Sequence, residues 1–291
     1  MLVYKTKAYL ELVKPRIVIL LVFTSLVSYI IASTKLGYEL FTPTLFISML
    51  AITAGTAGCS AVTGFIDRDI DKIMKRTMNR PLPTNRIRPA RRALYFGTAL
   101  IIIGGALSLL INVQAYIIGM LGVLDNLIIY SKWLKRRNPS NIILGGLSGG
   151  IPILFGWVSA TKGEISLLPV LIAATVIVWI PSHIWNLALY FKTDYLSAGI
   201  PMLPVVVKEK TAIRCIASTV PILFLITVLI GLVGGFGMVY WSFAVPVGAM
   251  FFVGNLYTLF RPKAKNLWLM YKLSSPYLAA IFLGLMIDIL L

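Results

Sequence analysis

Asp67, Asp69 and Asp71 open the stretch DRDIDKIMKRTMNRPLP, residues 67–83, which runs at once into Lys72, Lys75, Arg76 and Arg80. The other seven of the chain's ten acidic residues stand singly. Dense charge at a membrane surface is costly unless the charges are used. Asp67 and Asp71 are four residues apart, so a helix continuing through them would place both on one face, one turn apart. Two carboxylates so spaced can share a divalent cation, and Mg²⁺ commonly bridges one or two carboxylates to phosphate oxygens. Asp69 would point elsewhere, as a further ligand or as the partner of a base. The bases suit a diphosphate, Arg as a planar fork and Lys as a point charge. The plainer account is a charged helix end for the acids and a topology signal for some of the bases. Pro81 and Pro83 end any helix.

Three further groups stand out. In YSKWLKRRNPSN, residues 130–141, Tyr130, Lys135 and Arg136 offer a phenol and paired bases for phosphate oxygens, or form an interfacial aromatic with its basic belt. Asp125 falls inside an apolar run, where a carboxylate faces a cavity or a partner; a hydrogen bond to Asn126 or Trp133 would serve structure alone. His183 is the only histidine, and Asn186, Tyr190 and Asp194 follow it at intervals of 3, 4 and 4. That spacing predicts a polar stripe suited to the wall of a cavity. A histidine can ligate a haem iron or orient a substrate, although a lone one is more often hydrogen-bonded structure. Asp194 could complete a cation site opposite Asp67 and Asp71.

The elements that must position these groups are membrane helices. Of 291 residues, 58% are hydrophobic and 13% charged, with a mean hydropathy of +0.89. No soluble domain hides that much apolar surface. The net charge of +17 does not indicate nucleic acid, because the bases lie between apolar runs, where they orient the chain and meet anionic lipid headgroups. Cys59 and Cys215 have neither metal nor disulfide spacing. The first apolar run follows KPR and lacks a small-residue exit, so it reads as a retained helix.

Nine spans are predicted, at about 14–33, 43–66, 90–111, 113–131, 141–160, 167–190, 211–232, 237–260 and 267–290. Run lengths of this size mean helices rather than a barrel. The expected fold is an all-α integral membrane protein, one domain over residues 1–291, with nine transmembrane helices around a central cavity. With the N-terminus cytoplasmic, 25 bases lie inside and only Lys35 and Lys162 outside. The long, charged inner loops then carry the chemistry. No Gly- or Pro-broken helix pair is expected in matching halves, which counts against a secondary transporter.

The motifs DRDIDKIMKRTMNRPLP, the run from Tyr130 to Arg136, GGLSGGIPILFGWVSATKGE (145–164), HIWNLALYFKTDYLSAGIPMLPVV (183–206) and LVKPRIVILLVFTS (12–25) together resemble the protoheme IX farnesyltransferase (haem O synthase) branch of the UbiA superfamily of intramembrane prenyltransferases. The resemblance runs over most of residues 10–210. It implies nine helices around a laterally open cavity, Mg²⁺, a farnesyl diphosphate donor and a vinyl group of haem B as acceptor, giving haem O. It matches Asp67, Asp69 and Asp71 to the first acidic motif, and Arg76 and Arg80 to its basic continuation. Tyr130, Lys135 and Arg136 match the diphosphate-holding run, which Lys75 would join, and His183, Asp194 and Tyr195 match the second motif. Thr63 and Gly64 stand where the family carries Asn and another polar residue. The resulting expectation is catalysis by Asp67, Asp71 and Asp194, and a metal on Asp67, Asp69, Asp71 and Asp194. The diphosphate would lie on Lys75, Arg76, Arg80, Tyr130, Lys135 and Arg136, and the acceptor near His183, Asn186, Tyr190 and Asp125. The expected location is a prokaryotic plasma membrane. Alternatives are another prenyl acceptor (a quinone precursor or an archaeal glycerolipid), a transporter, or a non-enzymatic haem-binding protein.

Overall fold

The computed structural model describes residues 2–291, with side chains from residue 6 onward. Lys5, counted above among the inner bases, has its side chain outside the described residues. Among these residues there is no strand. Nine helices are long and apolar enough to cross a membrane, as the run lengths predict.

A short helix α1 (Leu2–Leu12) precedes α2 (Pro15–Leu36) and α3 (Pro43–Ile66). Pro15 and Pro43 sit at the first helical position, where the missing N–H is not needed. Gly37 ends α2 in the left-handed region at φ 70°. After α3 come a one-turn-and-a-half helix α4 (Arg68–Ile73), then α5 (Arg91–Ile111) and α6 (Val113–Leu124). The Asn112 side chain caps α6 by accepting from the Ala115 N–H at 2.7 Å, and it donates to the Val158 carbonyl at 2.9 Å. The chain continues through the short α7 (Asn141–Leu144) and α8 (Ile151–Ala160) to α9 (Leu167–Tyr190). Two short helices, α10 (Lys192–Ser197) and α11 (Leu203–Val206), then lead to α12 (Glu209–Gly234), α13 (Met238–Phe260) and α14 (Ala264–Leu290). Span ends differ from the predicted ones by a few residues, and the largest additions are at 34–36, 132–134 and 264–266.

Two spans depart from regular helix. The fourth runs on from α6 as a π-helical segment, Asp125–Leu134, closed by Lys135 N–H to Tyr130 C=O at 2.8 Å. The fifth is broken into α7, a single 3₁₀ turn at Leu147–Gly149 and α8. Gly145, Gly146, Gly149 and Gly150 occupy the breaks. The two spans are neighbours rather than members of matching halves, and both face the cavity described below.

The spans pack in chain order into a closed ring, with α14 returning to α2. Side chains such as Ile102, Leu110, Met250 and Phe260 point outward and are exposed, as lipid-facing residues must be. Hydroxyls inside the spans bond back to their own helix: Ser108 donates to Gly104 C=O and Ser159 to Phe155 C=O, each at 2.7 Å.

The closest helix pair is α3 against α5, where glycines let the backbones meet. A Cβ on Gly97 would stand 2.7 Å from Val62 Cγ2 and 2.8 Å from the Gly58 carbonyl oxygen. Gly97→Val is therefore expected to lower stability by about 1–3 kcal/mol or more. Gly55→Ala, where a Cβ meets nothing within 4 Å, should leave the melting temperature in detergent unchanged or raise it.

Candidate active site

Helix α3 ends at Ile66, and Asp67 is a hinge at φ −88°, ψ 0°. The hydrogen bonding nevertheless carries across it: Asp67 N–H reaches Thr63 C=O at 2.9 Å, and Asp71 N–H reaches Asp67 C=O at 2.8 Å. Asp67 and Asp71 are both buried, at 3% and 4% exposure. That exposure requires counter-charges, and each carboxylate has one. Lys135 Nζ donates to Asp67 Oδ2 at 2.5 Å. Arg80 Nη1 donates to both oxygens of Asp71, at 2.9 and 3.0 Å. The Thr77 hydroxyl donates to the Asp71 carbonyl at 3.1 Å, folding the 74–80 turn back over the acids.

Asp69 points the other way. It is an exposed residue, and Arg136 grips it with two bonds of 2.7 and 2.8 Å. The Arg136 guanidinium holds the Asp69 carboxyl well below the usual range, at about 2. The expectation of Asp69 as a metal ligand is corrected here, because it is exposed and drawn outward to Arg136, apart from the buried Asp67 and Asp71.

The second inner loop closes onto the first. The Arg76 N–H donates to Asp194 Oδ2 at 3.2 Å, and its guanidinium donates to the Tyr195 hydroxyl at 3.0 Å while lying over the Phe191 and Tyr195 rings. Asp194 is buried but is turned to this clasp. Among the described residues no group of three or more His, Cys, Asp or Glu side chains is placed to hold a metal. The four-carboxylate ligand set is thus not assembled. A metal's protein ligands would come from Asp67 and Asp71. Asp67 Oδ1 fits that use, since it is buried and has no hydrogen-bond partner. Mg²⁺ accepts one or two carboxylates when phosphates and water complete its shell.

Below these charges lies a cavity of about 720 Å³ between α2, α3, α5, the fourth and fifth spans, α9 and α14. Its walls are mostly apolar, including Leu20, Ile52, Ile101, Met120, Phe155 and Leu278, and its size is that of a small-molecule site. Tyr130, Asn126 and Thr63 stand on the wall, and the Thr63 hydroxyl bonds Asn126 Oδ1 at 3.2 Å. Lys135 lies 5.7 Å from the Tyr130 ring centroid. Burial acts to lower its pKa, but Tyr130, Asp67 and Asp71 outweigh that and raise it.

His183 is on the wall at the α9–α14 side, stacked between Trp179 at 4.4 Å and Tyr271 at 4.6 Å. Its Nδ1 bonds the Ser274 hydroxyl at 2.6 Å. The predicted stripe does not follow it into the cavity. Asn186 is buried within the bundle and donates to Ser182 C=O at 2.9 Å. Tyr190 is exposed and stacks on Trp268 at 4.5 Å. The cavity does not extend that far along α9, and α9 ends between Tyr190 and Asp194. Asp125 is also off the wall. It accepts from the Ser148 N–H at 2.8 Å, at the break in the fifth span, rather than from Asn126 or Trp133. Its other oxygen is buried without a partner. Lys75 is exposed, with no hydrogen bond or ion pair among the described residues.

Sequence reasoning missed Trp179, Tyr271 and Ser274, the cradle of His183. Only Trp179, one turn before the histidine, carried a signal in spacing. It also read Lys14 as topology alone, although Lys14 lines the cavity.

Removing one partner of a buried pair strands the other charge. Lys135→Met should therefore destabilise the protein by about 3–5 kcal/mol. The double variant Asp67→Asn with Lys135→Met should recover most of that loss, as a double-mutant cycle in thermal unfolding would show.

The family model for the UbiA prenyltransferase family matches residues 21–276. A protoheme IX farnesyltransferase of Desulforudis audaxviator is 42% identical over 97% of this chain and 88% of its own length. A solved structure of a digeranylgeranylglyceryl phosphate synthase superposes with a TM-score of 0.81 at 22% identity, covering 98% of both chains. A UbiA homologue from Archaeoglobus fulgidus, bound to DMAPP and Mg²⁺, superposes with a TM-score of 0.65 at 16% identity, covering 95% of this chain and 98% of its own. With a closed ring of nine helices, a buried acid–base cluster and an apolar cavity beneath it, the chain belongs to the UbiA prenyltransferase family, in its protoheme IX farnesyltransferase branch.

Proposed function

We propose that this protein transfers a farnesyl group from farnesyl diphosphate to a vinyl group of haem B, giving haem O. The observation that carries the reading is the position of the ion-paired cluster of Asp67, Asp71, Arg80 and Lys135 beside an apolar cavity of about 720 Å³. The relative at 42% identity is named for that reaction, and it is this that favours haem over a quinone precursor or a glycerolipid as acceptor. The match to a family of prenyltransferases speaks against a transporter.

In this reading Asp67 and Asp71 hold Mg²⁺, which when bound supplies positive charge to the departing diphosphate. Arg80 and Lys135 hold the carboxylates in place and add their own charge at the phosphate end. Arg76, fixed by Asp194 and Tyr195, adds a third cation, and Arg136 and Lys75 stand at the outer rim. Well-aimed charges of this kind are worth a few kcal/mol each when charge develops on the leaving oxygen. The apolar walls hold the prenyl chain and keep water from the allylic carbon until the vinyl group attacks. The new C–C bond forms as the C–O bond to diphosphate breaks. Water then adds to the resulting cation beside the haem ring and loses a proton, giving the hydroxyl of haem O. His183, fixed by Ser274 and stacked between two rings, positions the acceptor. Asp125, Asn186 and Tyr190 serve the frame, and Asp69 serves to fix Arg136.

The whole chain acts as one domain. Its N-terminus and the 67–90, 135–140 and 191–208 connections face the cytoplasm of a prokaryotic cell, where a water-borne diphosphate head arrives, and nearby bases meet anionic lipid. The 25-to-2 distribution of bases supports this orientation.

The purified protein is expected to convert haem B and farnesyl diphosphate to a product with the mass of haem O, and to release pyrophosphate only when Mg²⁺ is present. Asp67→Ala and Asp71→Ala should cut turnover by about a thousandfold or more while the protein still binds haem. Turnover undiminished by chelation would overturn the reading.

A further inference from the structure

Two bases of the KPR segment line the cavity, Lys14 and Arg16; Arg16 is exposed, as a topology residue would be, whereas Lys14 is half-buried and turned toward the acid cluster. It joins α1 to α2 with a left-handed backbone, φ 54° and ψ 64°. Non-glycine residues rarely adopt that region, and the residue before a proline is further restricted. Strain of this kind persists where the surroundings demand a particular side-chain position. A topology lysine would point to water or to lipid headgroups. Lys14 instead lines both the large cavity and a small adjoining pocket that contains Asp71 and Arg80.

The other bases of the cluster are committed, Lys135 to Asp67, Arg80 to Asp71 and Arg136 to Asp69. The Lys14 side chain has no hydrogen bond and no ion pair among the described residues. Burial, with Arg80 and Lys135 acting in the same direction, brings its pKa down to about 8, and Asp67 and Asp71 offset this only in part. A cation in that position lacks an anion, and its neighbours' carboxylates are already matched.

We propose that Lys14 is a substrate-binding residue, and that the α1–α2 elbow exists to deliver its ammonium to the diphosphate of the prenyl donor. The inference rests on the prenyl-diphosphate reading above. The elbow is fixed from below as well, since Glu11 on α1 pairs with Arg86 of the inner loop at 2.6 Å. The first turn of α2 is anchored on the Lys14 carbonyl, which accepts from Ile17 and Val18.

The test is calorimetric binding of inorganic pyrophosphate with Mg²⁺ to the full chain, in zwitterionic nanodiscs and again with anionic lipid added. Lys14→Gly is informative because glycine relieves the left-handed backbone, and Lys14→Asn because asparagine tolerates it. Both are expected to melt no lower than the parent and to bind pyrophosphate about tenfold or more weakly, as loss of a charged hydrogen bond implies. Lys14→Arg should recover part of the affinity. In turnover, the two neutral variants should raise KM for farnesyl diphosphate and leave KM for haem unchanged. Parent-like pyrophosphate affinity in both neutral variants would overturn the inference. So would a loss confined to anionic nanodiscs, which would assign Lys14 to a lipid headgroup. Failure of the parent itself to bind pyrophosphate would instead remove the functional reading, and this inference with it.

Discussion

A carboxylate taken out of water at the edge of a bilayer has few ways to stay ionised, and the inner face of this protein is arranged around two of them. Asp67 and Asp71 are nearly inaccessible, and each is answered by one base from a different part of the chain. Arg80 comes from the turn that follows α4. Lys135 comes from the far end of the π-helical segment. To bring Lys135 to Asp67, the fourth span must end at one place beside the third. The wider π turns at Asp125–Leu134 set where it ends. Ordinary pitch over those ten residues would rotate Lys135 to another face of the helix.

The same constraint explains the form of the loops. Residues 67–80 do not simply connect two spans. They double back through Thr77 to Asp71 and cross to the second loop through Arg76, Asp194 and Tyr195. These polar links act together with apolar packing between the two loops, where Ile70 and Met74 share a buried cluster with Tyr195, Ile200 and Met202. Beneath the mouth the packing is conventional, with α3 and α5 brought together by glycines and the large core running through α2, α8, α9 and α12 to α14. The cavity lies between these regions, charged at one end and apolar along its length, which is the division an amphipathic prenyl diphosphate requires.

Much of this was legible in the residues. Run length and charge asymmetry sufficed for nine helices, since in lipid the backbone has no other way to pair its own polar groups. The one-turn spacing of Asp67 and Asp71 held across a break in the helix, because the i→i−4 bonding is preserved through the hinge. Spacing failed where a side chain's direction depends on a partner far away in sequence. Asp69 looks like its neighbours until Arg136 draws it outward. Asn186 and Tyr190 stay within about 60° of His183 around the helix, yet the cavity does not extend that far along α9, so Asn186 bonds back to Ser182 and Tyr190 packs on Trp268. Asp125 signalled a cavity but answers a backbone N–H freed by a break in the adjacent span. Lys14 was hidden in plain view, because a lysine ahead of a membrane span reads as topology until its backbone conformation is known.

The central claim is that the paired cluster at Asp67 and Asp71 receives the donor's diphosphate and that the cavity below receives its chain. An experimental structure with Mg²⁺ and an unreactive thio analogue of farnesyl diphosphate tests it most directly. The expected result is phosphate density against Asp67, Asp71, Arg80 and Lys135, with the isoprenoid running inward between Leu20, Ile52 and Phe155. Density for the diphosphate away from these four residues, with the Asp67–Lys135 and Asp71–Arg80 pairs undisturbed and the cavity empty, would contradict it.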